Sequence, residues 1–478
     1  MVPPAALAPV VMKFGGTSVA DAAALERMAA IAADRAGEQP LVVVSALAQV
    51  TDQLVDLTRL ALEGDLGAAA ALIASLRARH LRALEDLGGE AEAQSALEHL
   101  FDELSTLVRG IAAVGELTGR TRDAVLSFGE RASPWLARRA LARAGVRPHL
   151  VDARQVIITG DQFTQALPLI AESQRQAQER VAPLLEAAQV PVLGGFIAAT
   201  RQGVGTTLGR GGSDFSASLL GALLRARRIE IWTDVDGMLT ADPRVCAGAQ
   251  RIKVISFQEA AELAYFGAKV LHPATLLPAM QSGIPVWVLN SRAWRSGPPD
   301  GEHTGTLVTT RAPRTSSPFK CISCKRRITL VDVVSTRMLQ AHGFLKAIWD
   351  VFAKYRCPVD MVSTSEVSVS LTVADTSALP DIADDLGQFA DVRYEGRKAI
   401  VCLVGESLRN TPGLAGSVFA ALGGINVRMI SQGASEINIG MVVDDDDVPR
   451  AMQLLHQRFF SVLDPAIFAA AAPAATGV

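Results

Sequence analysis

The chain has 478 residues, of which 49% are hydrophobic, and a formal net charge of −3; that length and apolar content support two or three domains with real cores. So even a balance gives no chain-wide basic footprint, which argues against nucleic acid or an acidic membrane surface as partner. Five cysteines scattered over this length exclude a disulfide framework and leave small molecules as the expected ligands.

The N-terminal MVPPAALAPVV lacks a basic n-region and runs directly into a strand, so no signal peptide is expected. The longest uncharged run, residues 270–291, is broken by Pro273, Pro278, Gly283 and Pro285 and does not read as a membrane span. A cytoplasmic protein with reduced thiols is the expectation. Cys321 and Cys324 form a C-x-x-C with no second pair at zinc spacing, which predicts buried or edge thiols.

Val10, Val11 and Met12 read as the end of a buried strand, followed by the turn Gly15-Gly16-Thr17-Ser18 and a helix to about Arg35, with Ser18 and Asp21 at capping-box spacing. Backbone N–H groups at two glycines, a helix N-terminus behind them and Lys13 beside them suit a phosphate; a tight structural turn explains the glycines as well. LVVVSAL (41–47) is a continuous apolar strand, which completes a β-α-β unit. Residues 51–122 predict inserted helices, with His80 and His99 facing solvent and no chemistry.

Alternation then returns. AVLSF (124–128), RPHLVDA (147–153), VPVLGGFIAA (190–199), RIEIWTD (228–234) and IPVWVLN (284–290) read as strands between helices, which predicts a largely parallel sheet with ligands at the strands' carboxyl ends. In TTLGRGGSD (206–214), three glycines, Arg210 and a possible cap at Ser213-Asp214 make either a second anion cradle or a capped tight turn; only the cradle explains an arginine between glycines. Glu130 opens a helix, where it can complement the dipole or meet a substrate ammonium. WTDVDGMLTADPRV (232–245) is a polar loop with Thr233, Asp234 and Arg244, and Lys269 lies in FGAKVLHP.

Past Asn290 the polar, Gly/Pro-rich texture places a boundary near 310–320. The remainder repeats: GFLKAIWDVFAKY and STSEVSVSLTV correspond to GLAGSVFAAL and GASEINIGMVV, so one small α+β module is used twice. The expected domains are residues 1–312, 320–396 and 397–465, with a flexible Ala/Pro-rich tail over 466–478.

In order and spacing, KFGGTSVAD, VVVSAL with Thr51, GFIAATRQGVGTTLGRGGSD, WTDVDGMLTADPRV and FQEAAELAYFGAKVLHPATL resemble the aspartokinases, and the repeat resembles their paired ACT domains. The resemblance implies an amino-acid-kinase fold, a mostly parallel sheet between helical layers, followed by two ferredoxin-like α+β modules. It implies phosphoryl transfer from Mg-ATP to the β-carboxylate of aspartate, the first step toward lysine, threonine and methionine. Lys13, Gly15, Gly16 and Ser45 resemble the phosphate-side residues. Thr51, Glu130, Arg210 and Asp214 resemble the aspartate-side residues. Thr233, Asp234, Arg244 and Lys269 resemble the nucleotide group, with Lys269 near the transferred phosphate. Lys13, Asp214 and Lys269 form the implied catalytic set.

Magnesium is expected mainly on ATP oxygens and water, with Asp214 or Asp234 contributing through water. Leu47, Gln49 and Leu239 depart from the family's usual residues. An effector pocket is implied at Met338, Phe344, Leu345, Val359, Asp360, Ser365 and Glu366. The first repeat offers Asp360 where the second has Arg428, which points to lysine as inhibitor, with threonine as second possibility. Pairing of the ACT domains implies a homodimer or higher homo-oligomer. A non-catalytic amino-acid sensor and a kinase for another carboxylate, such as glutamate, are the competing readings.

Overall fold

Val10, Met12 and Phe14 of the strand Val10–Phe14 face one apolar cluster together with Val42, Val44, Val190 and Val192, while the intervening Val11, Leu41, Val43 and Leu193 are buried as well. Successive strand residues point to opposite faces, so both faces of this sheet are covered, which is why its strands read as unbroken apolar runs. The computed structural model describes residues 8–267, 273–297, 305–313, 318–335, 342–462 and 464–470. The chain forms two units. One comprises Met1–Met238, Lys253–Phe257 and Val270–Ala312; the other comprises Leu239–Ile252, Gln258–Lys269 and Pro313–Val478.

In the first unit, eight strands lie in the order Val254–Ser256, Thr306–Thr309, Val286–Asn290, Arg228–Thr233, Val10–Phe14, Pro40–Val44, Val190–Gly194 and Pro148–Leu150. Every pairing is parallel except that between Val286–Asn290 and Thr306–Thr309. Helix Gly212–Leu223 packs on the two central strands, and helix Phe128–Arg143 on Val190–Gly194 and Pro40–Val44. On the central strand Arg228–Thr233, Glu230 is fully buried and accepts from Arg35 at 3.2 Å, Arg228 at 2.8 Å and the Trp232 indole at 3.2 Å, so the buried charge is satisfied.

Several expectations are corrected. AVLSF is helical, split between Gly119–Leu126 and Phe128–Arg143, because Val125, Leu126, Phe128, Ala132 and Leu136 recur at helical spacing and bury one face. Asp21, not Ser18, caps the helix Ala22–Asp34, accepting from Ala24 N–H at 2.8 Å; the Ser18 hydroxyl meets Ser291 at 2.8 Å. VPVLGGFIAA is two strands in different sheets, Val190–Gly194 and Ile197–Thr200. His80 is buried: its Nδ1 lies 2.7 Å from the Leu76 carbonyl and its ring is tilted against Phe101, and burial pulls its pKa down to about 4.

The second unit contains one six-stranded antiparallel sheet in the order Val359–Thr364, Ser368–Val373, Phe319–Val334, Asp391–Gly405, Asn438–Asp444 and Met429–Ser431. The two central strands are long and serve both repeats. Thr329–Val334 pair with Ser368–Val373, and Leu330–Val334 with Asp391–Glu395, in the first half-sheet; Cys321–Lys325 pair with Ile400–Val404 in the second. Each half has its own core, one around Ile348, Phe352 and Ile382, the other around Val418, Met452 and Leu455. The chain end read as flexible begins with a strand, Phe468–Ala470, paired antiparallel with Gln250–Ile252. Ile467 and Phe468 are buried, which supplies the apolar anchor that an Ala-rich composition conceals.

Candidate active site

Strand Val10–Phe14 ends at a turn held from both sides: Gly15 N–H donates to Trp232 C=O at 3.0 Å, and Ser45 N–H to Phe14 C=O at 3.0 Å. Ala48 N–H donates to Gly16 C=O at 3.1 Å. A Cβ on Gly16 would lie 3.0 Å from the Ala46 carbonyl oxygen, so only glycine lets the two strand-end loops approach this closely. Arg79, in the inserted helix Leu66–Asp86, donates to Ala48 C=O at 2.7 Å and Ala20 C=O at 3.1 Å. The insert read as chemically silent therefore fastens the turn, and an arginine's fork satisfies two loop carbonyls at once.

These loops open onto a cleft of about 830 Å³ lined by Lys13, Gly16, Ser45, Thr51, Glu130, Arg210 and Asp214, among others. The sequence scatters these residues over two hundred positions and the parallel sheet gathers them at its strand ends. Lys13 Nζ pairs with Asp214 Oδ1 at 2.6 Å, with both side chains nearly buried. Asp214 thus sits inside the helix Gly212–Leu223 without capping it; the N-cap is Gly211, at φ 72°. Arg210 is exposed on the preceding turn and forms no ion pair among the described residues. Thr51 lies in the first turn of helix Val50–Leu62, just after Gln49 at φ 68°.

Glu130 differs from the rest. It lies in the first turn of helix Phe128–Arg143, 3% exposed, and its Oε2 has no hydrogen-bond partner among the described residues. Burial pushes its carboxyl up to about 8, while the Ala46 and Glu130 backbone N–H groups and the Lys13 charge pull the other way. A Cβ at Gly194 would overlap the Glu130 carbonyl, so this helix start is wedged against a glycine at the end of the strand Val190–Gly194. At neutral pH the cleft therefore carries Lys13, Arg122 and Arg210 against Asp52 and Asp214, one positive charge in excess, beside the buried carboxyl of Glu130.

Arg122, Asp52, Gln165 and Phe196 line the same cleft and were not singled out from the sequence. Asp123 was also missed. It is fully buried and accepts from Thr164 N–H at 2.8 Å, Thr207 N–H at 3.0 Å and the Thr207 hydroxyl at 2.7 Å. It thereby holds the strand that leads into Gly209, Arg210 and Gly211. A carboxylate among apolar helix neighbours was the only available signal.

Thr233 and Asp234 close the strand Arg228–Thr233, with the Thr233 hydroxyl 3.2 Å from Asp234 Oδ1, and they do not line this cleft. Arg244 belongs to the second unit, where its exposed guanidinium grips Asp242 with a two-pronged bond, the shorter arm 2.7 Å. Lys269 and Met338 lie outside the described residues. Phe344 and Leu345 open the helix Phe344–Lys354, Val359 and Asp360 lie on the strand Val359–Thr364, and Ser365 and Glu366 occupy the turn after it.

The amino acid kinase family matches residues 8–290, and an ACT domain matches residues 401–459. Lysine-sensitive aspartokinase 3 of Escherichia coli (strain K12) is 38% identical over 462 residues, covering 94% of this chain and 99% of the relative. The chloroplastic aspartokinase 3 of Arabidopsis thaliana is 37% identical over 470 residues, covering 94% and 81%. Among solved structures, E. coli aspartokinase III in complex with aspartate and ADP superposes with a TM-score of 0.83 at 37% identity, covering 95% of this chain and all of the other. The same enzyme in complex with lysine and aspartate gives 0.78 at 38% identity and 95% coverage. Similarity this high over the catalytic and regulatory halves together means that the chain belongs to the aspartokinases of the amino acid kinase family.

Proposed function

We propose that the protein transfers the γ-phosphoryl group of ATP to the β-carboxylate of L-aspartate, giving 4-phospho-L-aspartate. The observation that carries this reading is the pairing, in one cleft with Lys13, of a buried carboxyl at Glu130 whose Oε2 has no hydrogen-bond partner and an arginine, Arg210, with no ion pair, both among the described residues. An α-amino acid offers one ammonium and one carboxylate, which these two groups complement. The β-carboxylate, with a reference pKa of about 3.9, is already ionised and needs no general base. Transfer then depends on alignment and on cations and N–H donors around the moving charge.

In this reading Lys13, with the loop N–H groups of Gly15, Gly16 and Ser45, receives the phosphates, and Asp214 holds the Lys13 ammonium in place. Thr51 completes the aspartate side. Thr233, Asp234 and Arg244 serve the nucleotide, and Lys269 the transferred phosphate. Magnesium, which dehydrates reluctantly, would be held mainly by the nucleotide's oxygens and by water, with Asp214 or Asp234 reaching it through water. The ion supplies charge neutralisation on the phosphate oxygens.

We assign residues 1–312 to catalysis and 320–396 and 397–465 to two regulatory modules, with a short tail from 466. Lysine is the proposed inhibitor, its side-chain ammonium meeting Asp360 in a pocket with Met338, Phe344, Leu345, Val359, Ser365 and Glu366. A homodimer through the regulatory modules and a cytoplasmic location complete the proposal. No described helix is long and apolar enough to cross a membrane.

The test is an assay with Mg-ATP and aspartate in which acyl phosphate is trapped by hydroxylamine, with and without lysine. Hydroxamate suppressed by lysine is the expected result. Hydroxamate indifferent to lysine moves the effector to threonine or to none, and no hydroxamate from folded protein overturns the catalytic reading.

A further inference from the structure

Asp360 is nearly enclosed, its side chain 4% exposed, and its two oxygens are used unequally. Oδ1 accepts twice, from Lys325 Nζ at 2.6 Å and from the Tyr265 hydroxyl at 3.0 Å. Oδ2 is buried and has no hydrogen-bond partner among the described residues. The Lys325 ammonium also lies 5.3 Å from the centre of the Tyr265 ring, so the three side chains form one cluster. A carboxylate has about four lone-pair positions. Half of them are filled here by a lysine and a tyrosine of the chain itself, and the other half are desolvated and empty.

Tyr265 ends the helix Phe257–Tyr265, four residues before Lys269 in sequence. The same helix is tied to the antiparallel sheet twice more, by Lys320 to Glu259 at 2.9 Å and by Asn438 to Glu262 at 2.8 Å. Those contacts are made by residues with no part in the expected effector pocket. The contact of Tyr265 is made to the residue expected to receive the effector's charge.

We propose that Asp360 is a contested acceptor. Lys325 is a built-in stand-in for the effector's side-chain ammonium, and a free diamino acid binds by taking the carboxylate over from Lys325 and Tyr265, which releases the C-terminal end of helix Phe257–Tyr265. Because the carboxylate is enclosed, an incoming cation must displace a neighbour. Lys325 is 27% exposed and carries a flexible stem, so it can turn its ammonium out to water. Tyr265 is 43% exposed and loses one hydrogen bond to solvent exchange. An amino acid with a neutral side chain brings no side-chain ammonium and cannot win this contest. The inference rests on the reading that the first module binds lysine, and it names two residues, Lys325 and Tyr265, that set the affinity and its effect.

The experiment is titration calorimetry of lysine into the full-length protein, with hydrogen exchange followed in the peptide covering 257–267. Lys325→Met removes the competitor and should tighten lysine binding at least fivefold, with Lys325→Gln doing the same should the methionine variant not fold. In the wild type, saturating lysine should speed exchange at the end of the helix. In Tyr265→Phe exchange should be fast already and change little on adding lysine. If the wild type binds lysine but the Lys325 variants bind it equally or more weakly, the contest is refuted while the lysine site stands. If the wild type binds no lysine, the underlying reading fails and the inference falls with it.

Discussion

Glu130 offers a sharp test because its burial and its proposed duty conflict. Burial pushes its carboxyl up to about 8, yet it must be an anion to hold the substrate's ammonium. Binding aspartate at neutral pH therefore expels a proton, and apparent affinity follows the ionised fraction. With a pKa of about 8 that fraction is about 3% at pH 6.5 and about 75% at pH 8.5, so the KM for aspartate should fall about twenty-fivefold over this interval. The assay is hydroxamate formation at saturating Mg-ATP, with KM and kcat followed separately across the range. Glu130→Gln should give a high, pH-independent KM.

Stability moves the opposite way. The folded-state pKa stands above the reference value of 4.5, so the folded protein holds this proton more tightly than the unfolded chain does, and stability declines as pH rises from about 4.5 to about 8. At about 1.4 kcal/mol per unit the decline is at most about 4 to 5 kcal/mol. Glu130→Gln should therefore raise the Tm of ligand-free protein more at pH 9 than at pH 6. A wild-type KM that is flat between pH 6.5 and 8.5, or a Tm gain no larger at the higher pH, would refute the account.

Arg210→Lys keeps the charge but loses the two-pronged geometry, so the KM for aspartate should rise about tenfold, by steady-state kinetics, with a smaller change in kcat. Lys13→Met leaves Asp214 without its 2.6 Å partner and removes a cation from the phosphate side; kcat should fall at least a hundredfold while far-ultraviolet circular dichroism stays unchanged. Gly194→Ala drives a methyl group into the Glu130 carbonyl and should lower the Tm by several degrees, together with aspartate binding measured by calorimetry. Asp123→Ala strips the acceptor from two N–H groups and a hydroxyl, a loss of about 2 to 4 kcal/mol in urea unfolding.

Much of the catalytic half was legible because its strands are buried on both faces and its loops are punctuated by glycine. The runs at 10–14, 40–44 and 286–290 could be read largely from apolar continuity, and that at 228–233 from its β-rich residues Ile229, Ile231 and Trp232. AVLSF failed because a five-residue window of β-formers cannot reveal that its apolar residues continue at helical spacing into Ala132 and Leu136. Within the cleft, Lys13, Thr51, Glu130 and Arg210 announced themselves through motifs, whereas Arg79 and Asp123 act on backbone groups brought near only by folding. No local pattern encodes a partner sixty or eighty positions away. His80 illustrates the same limit from the other side: a histidine between arginine and leucine on a helix gives no sign of whether its face is covered.

The two long strands at the centre of the antiparallel sheet bear on how this regulatory half can be cut or inherited. Residues Cys321–Lys325 complete the second half-sheet although they lie at the start of the first module, and Asp391–Gly405 crosses from one half to the other without a break. Excising either repeat at the sequence boundary near 397 would leave its neighbour with an unpaired edge of buried strand, prone to aggregate. Duplicated in sequence, the repeats are indivisible in folding, so they must be gained, lost or transplanted as a pair.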